Sequence, residues 1–123
     1  MARFPENWDI EERQVYFPVD VKNITDAFTI TAMLLGLKPK DVEIQIVNGN
    51  ISLKGEFKNE LEEGATYILQ ERPSGKFFRT VTLSDMLDAS KAEAHMENGI
   101  LTLQIPKAEE AKPKTIKVNS PKK

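Results

Sequence analysis

Through most of the middle of this chain, every second residue is apolar. "AFTITAMLL" (27–35) sets Phe28, Ile30, Ala32 and Leu34 against Thr29, Thr31 and Met33. "DVEIQIV" (41–47) puts Val42, Ile44 and Ile46 on one face and Glu43 and Gln45 on the other. "NISLKGEF" (50–57) repeats the pattern with Ile51 and Leu53 against Ser52 and Lys54. "KFFRTVTL" (76–83) alternates Phe77, Arg79, Val81 and Leu83 with Phe78, Thr80 and Thr82, and "ILTLQIP" (100–106) presents Leu101, Leu103 and Ile105. A period of two with β-branched enrichment predicts half-buried strands.

The punctuation agrees. "NGN" (48–50) and "ENG" (97–99) predict tight hairpins, because Asn-Gly tolerates positive φ. "LGLKPKD" (35–41) and "RPSGK" (72–76) read as turns or loops. Many short strands, tight turns and no long helical period predict an antiparallel β-sandwich. "LSDMLDASKAEA" (83–94) stays open between one helical turn and a loop leading into a strand at 91–97. The stretch 57–75 is long for a loop in so small a domain, acidic at Glu60, Glu62 and Glu63 and apolar at Tyr67, Ile68 and Leu69. Such an excursion is usually functional or bound to something.

Composition narrows the picture. A chain of 123 residues suffices for one domain. It divides into a head (1–17), a strand-rich body (18–106) and a polar tail (107–123). The formal net charge of −2 provides no general pull toward nucleic acid or an anionic membrane. With no cysteine, disulfides and thiolate zinc sites are excluded, which fits a cytoplasmic protein. The head turns acidic early and has no apolar core of a signal peptide, and no apolar run nears the roughly 18–20 residues needed to span a bilayer.

Candidate chemistry is sparse. The single histidine, His95, lies on the polar phase of a predicted strand, and no motif supplies a nucleophile or an orienting group for it. Its simpler reading is an exposed strand residue. "ELEE" (60–63) lacks the glycine-containing spacing of a calcium loop, and no glycine-rich phosphate loop exists. The expectation is a protein that is not an enzyme and has no catalytic residue, cofactor or metal. The tail holds six lysines but no arginine or aromatic residue for stacking on bases, so nucleic acid is not an expected partner. The head packs Phe4, Trp8, Ile10, Val15, Tyr16 and Phe17 into 17 residues. It either packs on the edge of the body or is a sticky segment that meets other chains. In the tail, "KPKTIKVNS" (112–120) carries Ile116 and Val118 two apart, with nothing nearby to bury them.

Four blocks in order carry a resemblance. "AHMENGILTLQIPK" (94–107) matches a family signature at Ala94, Asn98, Gly99, Ile100, Leu101, Pro106 and Lys107. "ERPSGKFFRTVTL" (71–83) matches a Gly-x-Phe-x-Arg strand at Gly75, Phe77 and Arg79. "LLGLKPKDVEIQIVNGNISLKGE" (34–56) matches a turn-strand-hairpin-strand unit, and Ile116-Lys117-Val118 matches an Ile-x-Ile/Val motif. The chain thereby resembles the small heat-shock proteins of the bacterial and archaeal type, which carry an α-crystallin domain, over roughly residues 18–118. It departs from them at Leu34-Leu35-Gly36 and Leu83-Ser84, where the family often has a proline, and in its head, which is short for the family and counts against a large cage.

The resemblance implies an all-β, immunoglobulin-like sandwich with a short N-terminal arm and an extended C-terminal tail. It implies an ATP-independent holdase for non-native proteins. The tail motif Ile116 and Val118 would enter a groove on another subunit, lined from among Val42, Ile44, Ile46, Ala92, Ala94 and Met96. Tyr67, Ile68 and Leu69 would belong to a strand exchanged between two subunits of a homodimer, which tail contacts extend to a larger homo-oligomer. Arg79 would be an interface cation paired with Glu71 or with carboxylates of the other subunit. Phe4, Trp8, Ile10, Tyr16 and Phe17 would form a client-binding arm. No membrane is required as a partner. The alternative on the same fold is a p23/CS-type co-chaperone module that binds a folded chaperone.

Overall fold

The two Asn-Gly turns organise the fold. The structure, a computed structural model, describes residues 15–83, 86–111 and 114–121. Among them are seven strands: β1 (Val19–Asn23), β2 (Ala27–Met33), β3 (Val42–Val47), β4 (Asn50–Phe57), β5 (Gly75–Thr82), β6 (Glu93–Glu97) and β7 (Ile100–Pro106). Asn48 and Gly49 (φ 49° and 82°) and Asn98 and Gly99 (φ 55° and 78°) make both hairpins with consecutive positive φ values. That geometry follows the twist of the strands it joins, so Val47 pairs with Asn50 and Glu97 with Ile100.

One antiparallel sheet runs β1-β2-β7-β6 and the other β3-β4-β5. Their apolar faces meet in two clusters. One joins Phe17, Ala32, Leu34, Leu53, Phe57, Phe77 and Leu101. The other joins Ile30, Ile51, Leu103 and Ile105. The apolar phase of β4 is interrupted at Gly55 for a packing reason. A Cβ there would lie 2.4 Å from Cζ of Phe77, so the ring occupies the space a side chain would need.

Several expectations need adjustment. β2 ends at Met33, and Leu34 is buried beyond it. β3 begins at Val42 because Pro39–Asp41 forms a 3-10 turn, closed by the Asp41 carboxylate accepting from the Lys38 N–H at 3.0 Å. β1 was not singled out by its pattern, since only Val19 and Val21 mark it. The segment 83–94 contains a 3-10 turn at Ala89–Lys91, and the strand after it starts at Glu93. The stretch 66–70 is not a strand here: among the described residues it has no neighbouring strand to complete a ladder. The packed backbone also extends past both expected body boundaries. Val15 N–H donates to the Lys76 carbonyl, and Ala108 N–H to the Met86 carbonyl. Lys107 is buried with its ammonium 4.9 Å from the Phe28 ring centre. Among the described residues no helix is long and apolar enough to cross a membrane.

Candidate functional site

The strand order leaves β3 at one edge of its sheet and β6 at one edge of the other. Between these edges lies a groove of about 230 Å³, lined by Pro39, Val42, Ile44, Ala94, His95, Met96 and Leu101. The pleat explains the lining. Val42 and Ile44 share one face of β3, and Ala94 and Met96 share one face of β6. Leu101 of β7, directly opposite Met96 in register, is buried at the base. Of the six groove candidates, these four come together. Ile46 and Ala92 pack instead against the cluster of Ile30, Ile51, Leu103 and Ile105. Pro39 and Leu101 complete the lining, and neither was a groove candidate in the sequence.

The chemistry of this groove is apolar contact. His95 is exposed on its lip, and its backbone neighbour across the ladder is Thr102. No group of three His, Asp or Glu residues able to hold a metal ion occurs among the described residues. The outer edge of β6 has no strand beside it among those residues, so the groove is bordered by backbone donors and acceptors able to receive an added strand.

The tail motif lies outside the fold. Ile116 and Val118 are 83% and 90% exposed and carry no regular structure. The exchanged-strand candidates are likewise uncovered. Ile68 is fully exposed, Leu69 mostly so, and Tyr67 partly. On the opposite side of the sandwich β1 is also an edge strand, exposed along most of its length.

Arg79 narrows one expectation. Its Nη1 donates to the Phe17 carbonyl at 3.0 Å, and its guanidinium sits 6.0 Å from the Phe17 ring centre. The Glu71 pairing is not made within the chain. The phase of β5 puts Arg79 on the face of Phe77, toward the root of the arm, while Glu71 stays exposed in the loop. Phe17 corrects another. It is 3% exposed and meets Phe77 edge-on at 4.9 Å, so it is a core residue and cannot offer its ring to a client. Adjacent residues of an extended chain point oppositely, and Tyr16 is accordingly exposed. Phe4, Trp8 and Ile10 lie outside the described residues. Nothing in the alternation of the head marked Phe17 as core, because its partners, Phe77 and Arg79, are sixty residues away in sequence.

Comparison with known proteins agrees with this architecture. The model of the Hsp20/alpha crystallin family matches residues 20–119. The chain is 34% identical over 102 residues to spore protein SP21 of Stigmatella aurantiaca, covering 82% of this chain and 60% of that one. It is 36% identical over 103 residues to the 17.4 kDa class I heat shock protein of Arabidopsis thaliana, covering 82% and 66%. The match thus spans less than two thirds of these relatives' length. Among solved structures, a small heat-shock protein from Xylella fastidiosa superposes with a TM-score of 0.71 at 34% identity, covering 88% of this chain and 100% of that chain. Heat shock protein 16.0 from Schizosaccharomyces pombe does so with a TM-score of 0.69 at 32% identity, covering 90% and 100%.

Proposed function

The chain belongs to the Hsp20/alpha crystallin family, and from that membership we propose that it is an ATP-independent chaperone that holds non-native proteins and limits their aggregation. The family is one of chaperones and not of enzymes. Its match leaves the p23/CS-type alternative without support.

The observation that carries this reading is the apolar groove between β3 and β6, held open by a well-packed core, together with two apolar segments the chain does not cover. Ile116 and Val118 point to one face of an extended tail and fit that groove on another subunit as paired knobs. Burying two such side chains contributes roughly 3–5 kcal/mol before the tail's ordering is subtracted. A contact of that size is reversible singly and effective when repeated across an assembly. Tyr67, Ile68 and Leu69 would pair with an edge of a second subunit to make the dimer, completing a ladder that one chain leaves incomplete. Arg79 would serve that dimer indirectly, by holding Phe17 and the root of the arm. Reversible tail contacts would uncover the groove for clients as temperature rises.

The test is light scattering from a thermolabile enzyme heated with and without an equimolar amount of the chain, in buffer free of nucleotide. Suppressed scattering supports the reading. Unchanged aggregation at equimolar and at tenfold excess rejects it.

A further inference from the structure

Resting on the reading that the tail of one subunit enters the groove of another, we propose that Lys117 gives this docking its charge: it lies over the outer face of β6, opposite His95 and between Glu93 and Glu97. The tail is then recognised by an acidic strand edge as well as by an apolar groove.

The argument starts from two matched periods. On β6, Ala94 and Met96 line the groove, and the pleat alternates them with the exposed Glu93, His95 and Glu97, of which His95 also borders the groove at its lip. On an extended tail, Ile116 and Val118 share one face, and Thr115, Lys117 and Asn119 the other. Directly opposed residues of adjacent strands point to the same side of the sheet. Setting Ile116 and Val118 level with Ala94 and Met96 therefore sets Lys117 level with His95. This holds for a parallel or an antiparallel tail, since reversing three residues leaves the middle one in place. Glu93 and Glu97 become the diagonal neighbours, about 7–8 Å away, within reach of a long side chain.

Shifted registers fare as follows. A slip of one residue drives the Lys117 ammonium into the apolar groove, which is costly without a partner. A slip of two sets Lys117 beside Glu93 or Glu97 but takes one apolar knob past the groove-facing pair. The matched register satisfies both faces at once. On the other wall Glu43 pairs with Lys54 at 3.7 Å, whereas β6 presents two exposed carboxylates, Glu93 and Glu97, that flank the matched register. The wider charge distribution has the same sense, because the tail beyond residue 111 holds five lysines and no acidic residue.

An exposed contact of this kind is worth about twofold to fivefold in affinity, and salt weakens it. The experiment measures the native mass of the full chain by light scattering across a dilution series, at low salt and at ~0.5 M salt. The variants are Lys117→Glu, Glu93→Lys/Glu97→Lys, these three together, and Ile116→Ala/Val118→Ala. Each charge reversal is expected to raise the concentration needed for assembly several-fold at low salt. Combining them restores assembly, and the differences shrink at high salt. If the apolar double variant dissociates the particle while neither charge reversal shifts it at either salt, the charge contribution is overturned and the groove reading stands. If the apolar double variant leaves the mass unchanged as well, the groove reading fails and takes this inference with it.

Discussion

At the scale of single residues, neighbours in sequence have opposite duties. Phe17 is locked between Phe77 and the Arg79 guanidinium, while Tyr16 beside it faces solvent. Phe17→Ala should cost about 3–5 kcal/mol by urea unfolding, the range for an emptied aromatic core site, and Tyr16→Ala within about 0.5 kcal/mol of nothing. Equal effects at the two positions would mean that the arm does not root in the core. Arg79→Ala removes the donor to the Phe17 carbonyl. A loss near the lower end of about 1.5–3 kcal/mol is expected for this half-buried charged hydrogen bond, with lysine restoring little, because its single ammonium lacks the guanidinium's planar fork.

At the scale of elements, the hairpins and the long loop behave differently. Gly99 combines a φ of 78° with a tight approach, since a Cβ there would come within 2.6 Å of Leu35 Cδ2. Gly99→Ala should therefore destabilise the body by about 1–3 kcal/mol, read as a lower urea midpoint at unchanged slope. The loop carries the opposite expectation. Ile68 is fully exposed in one chain, so Ile68→Pro should leave the stability of the sandwich within about 0.5 kcal/mol. It should nevertheless shift the native mass toward monomer, because proline cannot donate to an exchanged ladder. A variant that stays dimeric by light scattering would remove the exchanged strand from the account.

At the scale of the whole molecule, two sheets with open edges display apolar surface that the core does not need. The groove, the loop segment and the tail motif are separate in the chain, and under the proposed function they would meet in an assembly. Ile116→Ala/Val118→Ala should leave the unfolding midpoint nearly unchanged, since both side chains are largely exposed, while reducing the particle to its smallest stable unit. The same variant should suppress aggregation at least as well as the parent chain if a vacated groove is available to clients. A parallel loss of mass and of suppression would instead assign client holding to the larger particle.

Five of the seven strands (β2, β3, β4, β5 and β7), both Asn-Gly turns, the sandwich class and the family blocks were legible in the sequence, because a pleat imposes a period of two and a type I′ turn demands positive φ, and both constraints act within a few residues. The family resemblance put Val42, Ile44, Ala94 and Met96 among six candidates for one groove. Which of the six candidates line it was decided only by the tertiary structure, since Ile46 and Ala92 have the right phase but meet the second core cluster instead. Phe17 was misplaced for the same reason, and its contact with Arg79 was not foreseen. Their contact joins positions 62 residues apart, and no local pattern reports where a side chain on the edge of one element finds its partner on another. Local periodicity determines what each segment can form, whereas the stacking of two sheets decides which of its apolar positions are covered and which remain open to another chain.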